Sequence, residues 1–190
     1  MPLESNIQNL SQNFMTDLER VKQNGLDLKF VKRQTPEICL EAVKQLGSDI
    51  QYVKKQTPEI CLAAVKKYGL ALCHVKKQTP EICLEAVKQL GSALRYVNKQ
   101  TPEICIAAVR QDGYALRLVK EQTEEICLEA VKQEGYTLKY VEKQTIEICV
   151  AAVVQNPYSI VFVDNVTEEL LSRVRKIKPE IMSILIGGVA

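Results

Sequence analysis

From residue 34 onward, apolar side chains follow two alternating rhythms. In PEICLEAVKQL, Ile38, Cys39, Ala42, Val43 and Leu46 recur three and four residues apart, which predicts a helix with one buried stripe. Thr35 stands where an N-cap belongs. Pro36 fits the first turn, where its missing N–H costs nothing, and Glu37 meets the positive end of the helix dipole. Gly47 follows as a helix stop able to turn left-handed. Next comes SDIQYV, with LALCHV, SALRYV, YALRLV, YTLKYV and YSIVFV at equivalent places. A short strand or a short helix both fit such a segment; in each an aliphatic residue precedes a Val by three, which with Ser48 and Ser92 as N-caps favours a shorter second helix.

Both rhythms repeat every 22 residues. Cys39, Cys61, Cys83, Cys105, Cys127 and Cys149 keep that step, as do Gly25, Gly47, Gly69, Gly91, Gly113 and Gly135, with Pro157 in the next place. QTPEICLEAVKQLGS occurs identically at 34–48 and 78–92. A fixed period of this size marks stacked supersecondary units. The predicted fold is therefore all-α, an α-solenoid of 22-residue helix-turn-helix repeats. Helices shorter than about 12 residues are marginal alone, so stacking must stabilise them.

The chain accordingly divides into a degenerate N-terminal capping repeat (1–33), six tandem repeats (34–165), and a C-terminal capping repeat and tail (166–190). In the end units Asp17 and Leu171 replace the cysteine. Arg173, Arg175, Lys176 and Lys178 cluster near a helix terminus, and Pro179 restarts a last short helix. A second rhythm alternates Glu41, Glu85 and Glu129 with Ala63, Ala107 and Ala151. A 44-residue super-repeat and the duplication of an ancestral pair both fit it.

The motif T-P-E-I-C-L-x-A-V-K-Q-x-G-x-A-L-x-Y-V resembles the helical repeats known as domain of unknown function 4116, over the six units from 34 to 165 and poorly over the two ends. Such repeats occur in large DNA viruses of protists and in intracellular bacteria, often in host-directed proteins. The resemblance implies a helical repeat with an interaction role and transfers no catalytic residue.

Composition adds limits. The formal net charge of +2 creates no strong global field toward nucleic acid or anionic membrane. MPLESNIQNLSQNF lacks the basic start and apolar run of a signal peptide, and IMSILIGGVA is too short to span a bilayer, so no membrane association is expected. Seven cysteines without a secretory signal point to free thiols in a reducing compartment. The expected location is cytoplasmic, or the host cytosol for a viral or secreted effector.

Candidate chemistry is sparse. The periodic cysteines come one per helix, unlike the closely paired ligands of zinc sites, so no metal or cofactor is expected. The sharpest enzyme hypothesis pairs Cys73 with His74, the single histidine. Adjacent helical residues point apart, however, and Phe30, Tyr52, Tyr96, Leu118, Tyr140 and Phe162 hold the places equivalent to His74, which makes it a substitute for a packed aromatic. No catalytic residue is assigned. The Glu37 column could pair with Lys44, Lys66, Lys88, Arg110 and Lys132.

Charge on the repeat edges remains. Lys54, Lys55, Lys76, Lys77 and Lys99 recur at one corner, joined by Arg95 and Arg117 on the short helices. Residues 1–99 carry 15 basic and 10 acidic side chains, whereas residues 100–190 carry 10 and 13. These cations, with Glu41, Glu85 and Glu129, are the candidate partner-binding residues. The expected function is a non-enzymatic protein-interaction module or scaffold, with end-to-end self-association as one form. The rival is nucleic-acid backbone binding through the basic edges. It is disfavoured because the linker columns are nearly uniform and Glu121 and Glu142 interrupt them. A Cys-dependent enzyme comes last.

Overall fold

The computed structural model describes residues 15–187, and the chain divides into two compact units, residues 1–77 and 78–190. The first 14 residues, which hold the leader reading and the start of the N-terminal cap, and residues 188–190 of the tail lie outside the described residues.

Unit 1 alternates α-helices Asp17–Gln23, Pro36–Gln45 and Pro58–Lys67 with 3-10 helices Gly25–Phe30, Gly47–Tyr52 and Gly69–His74. Unit 2 continues with α-helices Pro80–Gln89, Pro102–Gln111, Glu124–Gln133, Ile146–Gln155 and Glu168–Ile177. Between them lie 3-10 helices Gly91–Tyr96, Gly113–Leu118, Gly135–Tyr140 and Pro157–Phe162. Pro179–Ile181 and Met182–Gly187 close the unit, and no strand occurs among the described residues. Within each unit successive α-helices pack side by side, so the fold is an all-α repeat solenoid.

The expected starts are present. Thr35, Thr57, Thr79, Thr101, Thr123 and Thr145 each accept the amide three residues on, and proline fills the first turn of four of these helices. The buried stripe is also present, with Ile38, Cys39, Ala42 and Val43 inside. Leu46 is a correction: it is 46% exposed, because the helix ends at Gln45 and Leu46 turns outward as the cap.

The helix stop works differently from the expectation. No glycine among the described residues has positive φ. Instead one extended residue, Leu46 at φ −139° and ψ 108°, serves both helices: its N–H donates to the Ala42 carbonyl at 3.1 Å and its carbonyl accepts the Asp49 N–H at 2.9 Å. Gly47 is the first residue of the 3-10 helix, so Ser48 and Ser92 lie inside their short helices and are not caps. A 3-10 helix has three residues per turn, which aligns Gly47, Ile50 and Val53 on one buried line. Glycine is needed for proximity. A Cβ on Gly91 would lie 2.6 Å from the Ala108 carbonyl oxygen of the next repeat, and one on Gly135 as close to that of Ala152.

Candidate functional site

The edge where each linker meets the next is built around a glutamine. Gln56 donates its amide to the His74 carbonyl at 2.8 Å and accepts the Lys76 N–H at 2.9 Å, so one side chain pins the following linker by two backbone bonds. Gln34 does the same to Tyr52 and Lys54. In unit 2, Gln78, Gln100, Gln122 and Gln144 repeat the clamp on residues 18 and 20 places ahead. Each glutamine oxygen also faces the thiol of the cysteine five residues on, from 3.9 Å at Cys39 to 3.3 Å at Cys149. The periodic cysteines thus sit against a polar oxygen at the end of the core, and a thiol can donate there where a methyl could not.

This second use of the cysteine column leaves it chemically quiet. Burial raises the thiol pKa of Cys39, Cys61, Cys83, Cys105 and Cys149 above the ordinary value, with Asp164 adding at Cys149. Burial, then the charges of Glu142 and Glu124, pushes Cys127 up to about 11. The thiolate is the nucleophilic form, so the raised pKa keeps these thiols weak nucleophiles near neutral pH. No group of three or more His, Cys, Asp or Glu that could hold a metal ion occurs among the described residues.

Cys73 and His74 are both exposed. In a 3-10 helix neighbours point about 120° apart, so they do not converge on one reacting atom. The expectation of a packed aromatic column holds in part: Tyr52, Leu118, Tyr140 and Phe162 are half-buried, whereas His74 itself is exposed. Its column lies at the rim, where Phe30 is 62% exposed, and the rings that touch there are Tyr114 with Tyr140 and Tyr136 with Phe162.

Between successive linkers the surface forms shallow recesses of one design. In unit 1 a recess of about 330 Å³ has Gln34, Thr35 and Cys39 at its base and Lys32, Arg33, Lys54 and Lys55 around it. In unit 2 the recess of about 270 Å³ at Gln100, Thr101 and Cys105 is edged by Lys99, Lys120 and Glu121. The one at Gln122 and Cys127 is edged by Glu124, Glu142 and Lys143. The one at Gln144 and Cys149 is edged by Asp164 and Glu169. The base therefore stays constant while the rim passes from basic to acidic along the sequence.

The predicted site residues separate on this frame. Lys54, Lys55 and Lys99 line recesses. Lys54 is partly occupied, because its Nζ donates to the carbonyls of Lys32 at 2.9 Å and Val31 at 3.3 Å, and Lys76 Nζ reaches the Lys54 carbonyl at 3.4 Å. Lys77 is exposed. Arg95 and Arg117 are exposed on the short helices and line none of these recesses. Glu41, Glu85 and Glu129 are half-buried on the α-helices. Glu129 accepts Arg110 Nε at 2.6 Å and Lys132 Nζ at 3.4 Å, so Arg110 pairs there and the expected pairing with the Glu37 column does not hold for it. A carboxylate of that column, Glu147, instead meets Arg173 at 2.8 Å. Lys32, Arg33, Lys120 and the glutamines were missed in the sequence, although the glutamine column keeps the 22-residue step as strictly as the cysteines.

No helix among the described residues is long and apolar enough to cross a membrane. No curated protein and no solved structure matches the chain. The sequence profile of a family described as a domain of unknown function matches three times in overlapping register, at residues 35–79, 57–101 and 79–122, a spacing of one structural repeat per step. Over residues 35–122 the chain is thus similar to the repeats of the family described as domain of unknown function (DUF4116).

Proposed function

We propose that this protein is a non-enzymatic protein-interaction module, whose recessed linker edge receives an extended partner segment, and that it works in a cytoplasm, a host cytosol included. The observation that carries the reading is the change of rim charge over a constant recess: the glutamine, threonine and cysteine base is structural, so the freely varying rim is where recognition can be written. The four cations around the unit 1 recess suit an acidic segment, and the acidic rims at Gln122 and Gln144 suit a basic one. A second copy of the chain carries both signs of charge, so end-to-end association belongs to the same reading.

Fluorescence anisotropy with the full chain tests it, using a labelled glutamate-rich peptide and a labelled single-stranded RNA at about physiological salt, where surface attraction is already screened over roughly 8 Å. The expected result is saturable peptide binding that weakens about tenfold or more in the Arg33→Glu, Lys55→Glu double variant. Tighter RNA binding that falls steeply with salt would transfer the basic edge to the nucleic-acid reading. Peptide binding unchanged by the double variant would remove the recess from the account. Sedimentation equilibrium as a function of salt reads self-association separately.

A further inference from the structure

Asp49 is a buried carboxyl that receives no hydrogen bond. It is fully buried in the Gly47–Tyr52 helix, and neither carboxyl oxygen has a hydrogen-bond partner. Its position recurs as Ala71, Ala93, Ala115, Thr137 and Ser159, all buried. The two hydroxyl residues of that column show what the site accepts. Thr137 donates to the Glu134 carbonyl at 2.7 Å; Ser159 donates to the Ala152 carbonyl at 2.8 Å and also meets the Asn156 carbonyl. In the repeat of Asp49 the corresponding carbonyls are those of Ala42 and Leu46. The Ala42 oxygen and Asp49 Oδ2 both border the space beside Gly25, at 3.2 and 2.6 Å from where a Cβ on that residue would stand. An ionised carboxylate can only accept, so beside these carbonyls it would be repelled and unpaired, whereas a carboxylic acid has the one O–H the position uses elsewhere.

We propose that Asp49 is held as a neutral carboxylic acid that takes the hydroxyl's place as donor to these carbonyls, and that its ionisation makes this joint of unit 1 sensitive to pH. Four elements pack on its helix. Their ionisable groups are Asp27 and Lys29; Glu37, Cys39, Glu41 and Lys44; Glu59, Cys61, Lys66 and Lys67; and Cys73 and His74. None of them acts on Asp49, whose proton affinity is raised by burial alone. The folded chain therefore holds this proton more tightly than the unfolded chain. The stability linked to Asp49 is greatest at acid pH and is lost as pH rises from the ordinary carboxylate range through the folded value, the proton leaving to water.

Carbon-13 NMR of the full chain, with labelled aspartate and the Asp49 signal assigned from Asp49→Asn, reads the protonation state directly. The expected result is a carboxyl carbon that titrates above the usual carboxylate range; titration within that range overturns the proposal. Thermal denaturation adds an independent readout. Asp49→Ser, which copies the residue at 159, should raise Tm at pH 8 by about 4 °C or more and flatten its decline with pH, and a slope equal to that of the parent chain counts against the proposal. If the serine variant does not fold, the titration of the parent chain decides alone.

Discussion

Gln122 and Tyr140 are joined across a repeat boundary by a 2.8 Å bond from the glutamine amide to the tyrosine carbonyl, while the glutamine oxygen accepts the Glu142 N–H at 3.0 Å and faces the Cys127 thiol at 3.4 Å. Half-buried backbone groups that lose their partner cost more than the bond itself contributes. Gln122→Ala should therefore destabilise the chain by about 1 to 3 kcal/mol, mostly from the part-buried Tyr140 carbonyl, since the exposed Glu142 N–H can turn to water. Gln122→Glu keeps the acceptor, loses the donor to Tyr140, and should fall between. Urea denaturation measures both. A loss below that of an ordinary surface substitution would show that the linkers hold their places without the clamp.

The thiols should divide sharply by burial. Cys73 is exposed, whereas the other six are buried and carry a raised pKa. A thiol reagent at pH 8 should label one cysteine of seven quickly in the native chain and the rest only on unfolding. The same shift acts on stability. Because the folded Cys127 holds its proton up to about 11 against an ordinary 9.0, its contribution is complete below the ordinary value and is lost as pH climbs toward 11. A Tm that stays level from pH 8 to 11 contradicts this.

Periodicity made the repeat, its helix starts and its buried stripe legible, since those depend on residues within one 22-residue unit. What escaped depends on the neighbouring unit. Gly91 reads as a helix stop from its own repeat, and only the Ala108 carbonyl of the next one shows why a side chain is refused. Gln100 reads as part of a polar linker until the Leu118 carbonyl and Lys120 N–H arrive beside it. The short helices are legible as helices, and their three-residue rhythm stands in the sequence. The 3-10 form follows from placing Gly91, Leu94 and Val97 on one line, all of them buried. Lys54 was legible as a cation, but its carbonyl partners one linker back were not.

Glycine's role can be separated by experiment. If Gly91 were only a flexible stop, alanine at its negative φ would restrict the unfolded chain and stabilise the fold by about 0.4 to 1 kcal/mol. The structure requires the opposite. The new Cβ would meet the Ala108 oxygen at 2.6 Å and the Asp112 Cβ at 3.0 Å, and a backbone carbonyl fixed in its own helix cannot move aside cheaply. Gly91→Ala should therefore cost about 1 to 3 kcal/mol, the usual range for overpacking. A rise in Tm would refute the close-approach account.

Among the three glutamates that alternate with alanine along the α-helices, Glu129 has defined partners. That carboxylate is reached by Arg110 from the preceding repeat and by Lys132 from its own helix, and the hydrogen bond from Arg110, ahead of its charge and those from Lys132, holds it below the usual carboxylate range. One half-buried acid thus serves two cations, and Ala107 and Ala151 stand at its place in the repeats on either side. Because the folded pKa is lowered, the pair's contribution is present above the ordinary carboxylate value and is lost as pH falls through the folded one. Arg110 is largely exposed, so solvent screening keeps the contribution small. Glu129→Ala should cost about 0.5 to 1 kcal/mol at low salt and less at high salt. The double-mutant cycle with Arg110→Ala should return most of that loss as coupling energy. A coupling near zero, together with lost partner binding, would instead make Glu129 a recognition residue on the helix face.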